Sequence, residues 1–271
     1  RRVDEEAEIV MLEKGPYVSF ANCGLPYYLS RTIDEREKLM VTTPESLKEM
    51  LNIDARPNNE VVAIDREAKT VLVREHPSGR EYTEKYDKLV LSPGAEPIVP
   101  PLPGVDLEGV FILHNIPELD ALDAYVRAKQ VKRAVVIGGG VIGLEVAENL
   151  AETGIKVTIV EMLNQVMAPV DYEMAVEVHE HLALHGIKLV LGDGLKAIEK
   201  VDGDGTLKVQ TGSGKELETD LVVLAIGVRP NTKLAKDSGI EVTQRGHIVT
   251  NERMQTSDPN IYAVGDAVQV K

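Results

Sequence analysis

A glycine-rich turn in the middle of the chain constrains its fold more than any other feature. The segment KRAVVIGGGVIGLEVAENLAETG is typical of a strand over 134–137, a turn, and a helix over 141–153. The turn has the spacing Gly138-x-Gly140-x-x-Gly143. Glycines at these positions allow a tight turn, close approach of a pyrophosphate group and tight packing of helix on strand. The segment therefore predicts a strand–helix unit that binds a dinucleotide.

An acidic residue follows the next predicted strand. KVTIV (156–160) is typical of a strand, and Glu161, 23 residues after Gly138, is placed to bind both hydroxyls of an adenosine ribose. The next four residues, Met-Leu-Asn-Gln, include no Arg or Lys for a 2′-phosphate, so the sequence favours NAD(H) over NADP(H). The predicted contacts with this dinucleotide are Gly138, Gly140, Val141, Ile142, Gly143 and Glu161.

The chain also contains an internal repeat. EIVMLE (8–13) has the form of KVTIVE, an apolar run that ends in a carboxylate. A polar, alternating stretch follows each run and leads to a buried strand that ends in glycine, at Gly94 and at Gly227. Both stretches, 61–94 and 195–227, predict a three-stranded meander. The predicted turns are Ser78-Gly79, Gly203-Asp204-Gly205 and Gly212-Ser213-Gly214.

The two copies differ in length at one place. Glu13 lies 50 residues before Ala63, whereas Glu161 lies 36 residues before Ala197, and the additional residues contain Cys23. An insertion in a repeated scaffold suggests that the insertion carries the chemistry. By the repeat, Glu13 binds the ribose of a second dinucleotide; otherwise it is an ordinary solvated carboxylate. The matching glycine turn falls about 10 residues before residue 1, so we expect a longer protein.

Charge and composition argue against several classes of partner. The 271 residues include 44 acidic and 30 basic ones, a net charge of −14, which argues against binding to nucleic acid or to an anionic membrane. No apolar run of about 18 residues predicts a transmembrane helix. The single cysteine excludes an internal disulfide and fits a reducing, cytoplasmic location. His181 and His185 have helical spacing but no third ligand, so we predict no metal site.

Four segments resemble the pyridine nucleotide-disulfide oxidoreductases, flavoproteins with two dinucleotide sites: VVIGGGVIGLEVAENL, TDLVVLAIGVRPNT, YDKLVLSPGAEPIVPPLPG and TSDPNIYAVGDAV. The segment SFANCGLPYYLS resembles the single-cysteine branch, which contains coenzyme A-disulfide reductases, NADH-dependent persulfide reductases, NADH oxidases and peroxidases. The dithiol members have a second cysteine a few residues after the first, and this chain has none there. The resemblance covers essentially the whole chain.

The resemblance implies FAD in the first site and NAD(H) in the second. Cys23 matches the nucleophile that faces the flavin, Glu145 the glutamate that helps place the nicotinamide, and Gly227 a backbone contact with the nucleotide. From the residues alone, Asp266 is either a helix N-cap or a ligand of a sugar or ribityl hydroxyl. The FAD contacts implied by the resemblance are Glu13, Lys14, Val62, Ser92, Pro93, Gly94, Gly265 and Asp266.

The coenzyme A-dependent relatives suggest a substrate site as well. Ser19 and Asn22 match positions that line the pocket for the substrate thiol. Arg2 matches a basic residue for the coenzyme A phosphates, or is a solvated helix end, and Arg56 is a looser match. Hydrogen bonds from Ser19 and Asn22, and a helix N-terminus after Gly24, are expected to favour the thiolate of the cysteine.

We therefore predict an α/β protein of two interleaved Rossmann-like, three-layer domains, each with a β-meander. The FAD-binding domain is expected over 1–115 and 241–271, the NAD(H)-binding domain over 116–240, and a homodimer through a C-terminal domain outside this sequence. The predicted function is FAD-dependent reduction by NADH of coenzyme A disulfide, coenzyme A persulfide or polysulfide through Cys23. Alternatives are an NADH oxidase or peroxidase with a cysteine sulfenic acid, and an NADH-sensing module without turnover.

Overall fold

The structure, a computed structural model, describes residues 3–201 and 205–269. The predicted turn at Gly203-Asp204 lies outside the described residues. The chain forms two compact units, whose assignment to FAD and NAD(H) stays a prediction. Unit 1 contains the described residues of 1–20, 40–96 and 229–271, and unit 2 contains those of 21–39 and 97–228.

The helices are α1 (Leu25–Leu29), α2 (Pro44–Leu51), α3 (Ile116–Lys129), α4 (Val141–Glu152), α5 (Tyr172–Leu184) and α6 (Lys233–Asp237). The strands are β1 (Ile9–Leu12), β2 (Ile53–Arg56), β3 (Asn59–Asp65), β4 (Thr70–Glu75), β5 (Glu81–Lys85), β6 (Leu89–Leu91), β7 (Ala95–Pro97), β8 (Val110–Phe111), β9 (Arg133–Ile137), β10 (Lys156–Val160), β11 (Lys188–Val190), β12 (Leu195–Lys200), β13 (Leu207–Thr211), β14 (Glu216–Thr219), β15 (Leu221–Leu224), β16 (Val228–Pro230) and β17 (Ile261–Ala263). Across the described ranges, no helix is both long enough and apolar enough to cross a membrane.

Unit 2 is built on a five-stranded parallel sheet in the order β11-β10-β9-β15-β8. Strand β15 is buried along its whole length, and β9 is buried except at Arg133, as expected for strands covered on both faces. Helix α4 contacts β9 and β10, and α5 contacts β11. The antiparallel meander β12-β13-β14 packs against the sheet through a shared apolar core. The predicted α/β class with a parallel sheet is therefore confirmed.

The glycine-rich turn forms the predicted strand–helix–strand unit. Strand β9 and helix α4 flank it within one residue of the predicted bounds, and β10 has the predicted bounds. Gly140 adopts an extended conformation as the N-cap of α4, and Gly154, with a φ of +87°, follows the C-cap residue. A positive φ is favourable for glycine and ends the helix.

Unit 1 contains the corresponding meander but two smaller parallel sheets. Strand β1 pairs with β2, and β17 pairs with β6. No strand of the described residues joins these two pairs. The meander β3-β4-β5 and helix α6 enclose a core that contains Ile64, Val73, Ile248 and Ile261.

The two meanders share an irregularity that was not predicted from the sequence. The pairing of β3 with β4 shifts register between Val61 and Ala63, and that of β12 with β13 shifts between Leu195 and Ala197. Ala63 and Ala197 are equivalent positions of the predicted repeat. The bulge therefore recurs at the same point of each copy, which supports the repeat at the level of backbone geometry.

A carboxylate anchors the start of β15 to the start of β9. Asp220 accepts hydrogen bonds from the N–H groups of Lys132 and Arg133, at 3.0 and 2.9 Å, and from the Arg133 guanidinium at 2.9 Å. Burial alone raises the pKa of Asp220, but these hydrogen bonds outweigh it and lower the pKa below its ordinary value. The stabilisation is therefore present above the unfolded-state pKa of about 3.9 and is lost as the pH falls through the folded-state value.

We expect Asp220→Asn to lower the free energy of unfolding by about 1–3 kcal/mol at pH 7, because the amide loses an acceptor and presents a donor to N–H groups. Denaturant titration measures the loss, which should shrink below about pH 4. Glu218→Gln is the control, since Glu218 is exposed and lies 3.4 Å from the same guanidinium. Its effect should stay below about 0.5 kcal/mol. Equal losses in both variants would contradict a specific stabilising role for the Asp220 carboxylate.

Candidate functional site

The carboxyl ends of three parallel strands meet at one edge of the sheet in unit 2. Ile137, at the end of β9, is in register with Val160 of β10 and with Leu224 of β15. The residues that follow these three are Gly138, Glu161 and Ala225. In open parallel sheets, ligands bind outside this edge.

Two glycines of the turn are required by backbone packing, and a third leaves open space. A Cβ atom on Gly138 would lie 2.3 Å from the carbonyl oxygen of Ala225, and one on Gly143 would lie 2.1 Å from the carbonyl oxygen of Gly138. Gly138 also has a φ of +109°. A Cβ atom on Gly140 would meet nothing within 4 Å. Protein packing therefore explains Gly138 and Gly143, whereas the space at Gly140 fits a ligand that approaches the backbone.

The N-terminus of α4 is accessible beside this space. Gly140 is its N-cap residue, and no side chain caps the helix. Val141 and Ile142, the first two helical residues, are exposed by 55% and 42%. The N–H groups at a helix N-terminus carry partial positive charge and bind phosphate groups. These residues therefore fit the diphosphate of a dinucleotide.

Glu161 lies beside the turn, as the sequence predicts. Its Oε2 accepts a hydrogen bond from the Gly139 N–H at 2.6 Å, and its Oε1 accepts one from the Leu163 N–H at 2.8 Å. The loop that follows covers the same glycine, because the Met167 N–H donates to the Gly139 carbonyl at 2.8 Å and Val166 is fully buried against it. This carboxylate fits an adenosine ribose, and the exposed residues after it carry no basic group.

Two further predicted nucleotide contacts belong to unit 2. Gly227 is exposed in the turn after β15, with a φ of +110°, and its carbonyl accepts a hydrogen bond from Ile98 N–H at 2.9 Å. Glu145 is half-buried one turn into α4. Burial, and then the nearby Glu148 carboxylate, raise the pKa of Glu145 above its ordinary value.

Cys23 lies exposed on a 3₁₀ turn (Asn22–Gly24) that leads directly into α1. The turn is closed by a hydrogen bond from the Gly24 N–H to the Ala21 carbonyl at 2.9 Å. A Cβ atom on Gly24 would lie 2.8 Å from Leu39 Cδ2, so glycine lets the backbone press against a buried leucine. The cysteine therefore projects from a supported turn.

Three polar contacts attach this segment to the helices of unit 2. Arg31 forms an ion pair with Asp123 of α3, and Arg36 binds Asp120 of α3 through two hydrogen bonds of 2.7 and 2.6 Å. The third contact is a hydrogen bond of 2.6 Å from the hydroxyl of Ser30 to Oδ1 of Asn149 in α4. Cys23 and the glycine turn thus belong to one compact unit.

Glu13 in unit 1 repeats the local geometry of Glu161. Its Oε1 accepts a hydrogen bond from the Gly15 N–H at 2.6 Å, two residues on, as Glu161 does from Leu163. Lys14 is exposed in the same turn. The repeated side chain-to-backbone bond supports the predicted equivalence of the two acids, and the role of Glu13 with FAD stays a prediction.

The other predicted FAD contacts of unit 1 lie at strand ends and at the bulge. Leu91 of β6 is in register with Ala263 of β17, so the residues after both strands share one edge. Asp266 is exposed inside a 3₁₀ turn (Gly265–Ala267), whose N-cap position is taken by Val264. At this edge, Ser92, Pro93 and Gly265 are exposed and Gly94 is half-buried; Val62 is half-buried at the bulge of β3.

The structure does not group the predicted substrate-binding residues in one unit. Ser19 belongs to unit 1 and is half-buried, whereas Asn22 belongs to unit 2 and is exposed in the cysteine turn. Arg2 lies outside the described residues. Arg56 donates to Asp54 at 2.6 and 2.9 Å and to Glu84 at 2.6 Å, and Asp54 raises the pKa of Arg56 above its ordinary value. A phosphate group at Arg56 must therefore compete with two carboxylates.

Sequence reasoning missed the polar residue that links the cysteine segment to α4. Asn149 is 1% exposed and lies on the apolar face of α4 beside Val146 and Leu150. An asparagine on the buried face of an amphipathic helix was the available signal, because buried amides need partners. Within the two described ranges, no group of three His, Cys, Asp or Glu residues is placed to hold a metal ion.

Comparison with known proteins gives consistent matches along the chain. The family model described as pyridine nucleotide-disulphide oxidoreductase matches residues 1–271. The chain is 37% identical over its whole length to a NADH oxidase from Methanocaldococcus jannaschii, and covers 59% of that protein. It is 35% identical, over 98% of its length, to a coenzyme A disulfide reductase from Staphylococcus aureus strain JH9, and again covers 59% of the relative.

Several solved structures are similar to this chain in both fold and sequence. The reduced Bacillus anthracis CoADR-RHD is 50% identical, with a TM-score of 0.96 over 100% of this chain and 48% of its own. An NAD-dependent persulfide reductase from A. fulgidus is 37% identical, with a TM-score of 0.93 over 98% and 50%. A water-forming NADH oxidase from Lactobacillus brevis, bound to NADH, is 34% identical, with a TM-score of 0.91 over 98% and 58%. The chain spans about half the length of these proteins.

A pair of glycine variants tests whether the open space at Gly140 binds the dinucleotide. Gly140→Ala should leave the unfolding free energy within about 1 kcal/mol of the wild type, because its Cβ meets open space. It should weaken NADH binding at least about tenfold, because the methyl group occupies the space proposed for the ligand. Gly143→Ala should destabilise the fold itself, since its Cβ meets the backbone at 2.1 Å. Calorimetric NADH titration and denaturant unfolding measure the two effects; unchanged NADH binding by Gly140→Ala would contradict the assignment.

Proposed function

Because this chain belongs to the pyridine nucleotide-disulphide oxidoreductase family, we propose that it is the nucleotide-binding part of an FAD-dependent enzyme that uses NADH to reduce a disulfide or persulfide. The family depends on FAD and NAD(H). The proposed substrates are coenzyme A disulfide, coenzyme A persulfide and polysulfide. The proposed nucleophile is Cys23.

One observation carries the proposal. An exposed Cys23 stands on a turn that is attached to α3 and α4, in the same compact unit as the glycine turn at Gly138. A structural cysteine is usually buried among apolar side chains, whereas a thiol that must reach a substrate needs exposure and support. Relatives named coenzyme A disulfide reductase and persulfide reductase favour sulfur as the acceptor.

The residues of this chain perform the sulfur chemistry in the proposed reaction. The Cys23 thiolate attacks one sulfur of the substrate disulfide, which forms a mixed disulfide and releases one substrate thiolate. Two electrons and one proton then split the mixed disulfide, regenerating the Cys23 thiolate and releasing the second substrate thiol. FAD, when bound, supplies these electrons after accepting a hydride from NADH. Ser19 and Asn22 are proposed to line the thiol pocket.

The proposed electron donor is NADH rather than NADPH. Glu161 suits two ribose hydroxyls and repels a 2′-phosphate, and the side chains of Met162 and Leu163 are exposed without a basic group. Among the related structures, the NADPH-bound water-forming oxidase is an engineered mutant of an NADH oxidase. Conversion to NADPH in that relative needed substitutions, which is consistent with a scaffold that favours NADH.

A second candidate is reduction of dioxygen or peroxide through a sulfenic acid on Cys23. The observation in its favour is the identity to NADH oxidases, 37% to the Methanocaldococcus jannaschii protein and 34% to the water-forming Lactobacillus brevis enzyme. Both candidates use the same thiol and the same dinucleotide. They differ in the oxidant, so the oxidant is what an experiment must vary.

Two further parts of the proposal concern the whole protein. We propose that it acts as a homodimer in the cytoplasm, on the strength of the family resemblance and of a single cysteine that suits a reducing compartment. Arg2 and Arg56 are also proposed to bind the phosphates of coenzyme A.

The deciding experiment uses the protein as its gene encodes it, purified with the flavin it carries. Its flavin is first reduced anaerobically with NADH and then mixed with coenzyme A disulfide, coenzyme A persulfide, peroxide or oxygenated buffer. We expect rapid reoxidation by a coenzyme A substrate, and at least about a hundredfold slower reoxidation in Cys23→Ser, because serine cannot form the mixed disulfide.

Ser30→Thr is the matched control, because it changes a hydroxyl residue of the same segment without touching the thiol. Reoxidation only by oxygen or peroxide would select the second candidate. A purified protein without flavin, or a Cys23→Ser variant with the full wild-type rate, would overturn the proposal.

A further inference from the structure

A buried amide joins α4 to the segment that carries the cysteine. The Nδ2 group of Asn149 donates to the carbonyl of Glu145 at 2.7 Å, and its Oδ1 accepts from the Ser30 hydroxyl at 2.6 Å. Asn149 is 1% exposed and Ser30 is half-buried, so the Asn149 side chain itself is shielded from water. A short hydrogen bond to a buried amide holds its two groups at a closely defined distance. The position of Ser30 is therefore tied to that of α4.

Ser30 in turn fixes α1 and the turn that precedes it. It is the C-cap residue of α1, and its hydroxyl also lies 3.2 Å from the carbonyl of Tyr27 and 2.9 Å from the Thr32 hydroxyl. Helix α1 has only five residues and begins two residues after Cys23. A displacement at Ser30 therefore moves a short, continuous piece of structure that ends at the thiol.

The other end of the connection lies at the dinucleotide site. Helix α4 begins after Gly140, where the open space for the diphosphate lies. Glu145, whose carbonyl accepts the Asn149 amide, stands between the two and is the predicted contact of the nicotinamide. Helix α4 thus connects the glycine turn to Asn149. From there the cysteine segment is reached by the hydrogen bond to Ser30 and by the contact of α1 with α4.

Two other polar contacts hold the cysteine segment without reaching α4. Arg31 and Arg36 pair with Asp123 and Asp120, which both belong to α3. They provide attachment of similar kind to a helix that does not carry the glycine turn. Mutation of these ion pairs therefore loosens the segment from α3. Mutation of Ser30 or Asn149 removes the polar link to α4 and leaves the contact of α1 with α4 in place.

We infer that the Ser30–Asn149 hydrogen bond couples dinucleotide binding at α4 to the reactivity of Cys23, with Asn149 as a positioning residue. The inference rests on the proposed function, because it needs a dinucleotide at α4 and a reactive thiol. A dinucleotide restrains the N-terminus of α4, and the hydrogen bond passes this restraint to α1 and its turn. Bound dinucleotide therefore slows the reaction of Cys23 with a small alkylating reagent.

The test measures alkylation of Cys23 by iodoacetamide in the gene-encoded protein, with and without saturating NAD⁺. Mass spectrometry of the peptide that contains Cys23 gives the rate, and Cys23→Ser gives the background. We expect NAD⁺ to slow alkylation at least about fivefold in the wild type, the rate ratio that corresponds to about 1 kcal/mol. In Ser30→Ala and Asn149→Leu the effect should fall below about twofold.

Two variants and a titration separate coupling from loss of structure. Ser30→Thr keeps the hydroxyl and should keep the full effect of NAD⁺. Asp120→Asn loosens the segment from α3 and should change both alkylation rates by the same factor, leaving their ratio at the wild-type value. Calorimetric titration gives the NAD⁺ concentration that saturates each variant. A variant that only binds NAD⁺ more weakly is therefore not mistaken for one that has lost the coupling.

The outcomes distinguish this inference from the proposed function. If NAD⁺ protects Cys23 equally in the wild type, Ser30→Ala and Asn149→Leu, the dinucleotide only shields the thiol directly and the inference is wrong. A loss of the effect in Asp120→Asn as large as that in Ser30→Ala would overturn it as well. Full turnover of the protein after complete alkylation of Cys23 would instead overturn the proposed function.

Discussion

The contact of three backbone segments around Gly138 is the constraint on which the functional part of unit 2 depends. Carbonyl oxygens of Ala225 and Gly138 stand where any side chain on Gly138 or Gly143 would lie. Helix α4 can therefore approach the ends of β9 and β15 only because these positions lack a Cβ atom. This approach directs the N-terminus of α4 at the edge where Glu161 stands. The same helix, just over three turns long, then supplies Asn149 as a fixed point for the cysteine segment.

The repeat extends to details that are too small to select a fold on their own. Glu13 and Glu161 each accept a hydrogen bond from the N–H two residues on, and each meander has a bulge at the equivalent place. Gly94 and Gly227 both have a positive φ in the turn that follows a parallel strand, although β6, unlike β15, is not buried as predicted, because Val90 is exposed. The insertion that holds the cysteine segment is the departure from the pattern.

Local signals predicted those parts of the structure that local interactions determine. The bounds of α4 and β10, both meanders and the position of Glu161 beside the turn follow from periodicity, glycine spacing and the repeat. The grouping of residues 21–39 with unit 2 could not be predicted, because its contacts join residues about a hundred positions apart, such as Ser30 and Asn149. The engagement of Arg56 by two carboxylates was hidden for the same reason.

The two strand pairs of unit 1 have a consequence for the behaviour of this stretch of chain in solution. Strand edges that no described residue pairs present rows of N–H and C=O groups, which readily add a strand from another molecule. Val90 of β6 and Met11 of β1 are exposed, so apolar side chains stand close to those edges. If these residues are prepared on their own, we therefore expect the protein to self-associate through the strand edges of unit 1. Charged substitutions such as Val90→Lys are the means to suppress it.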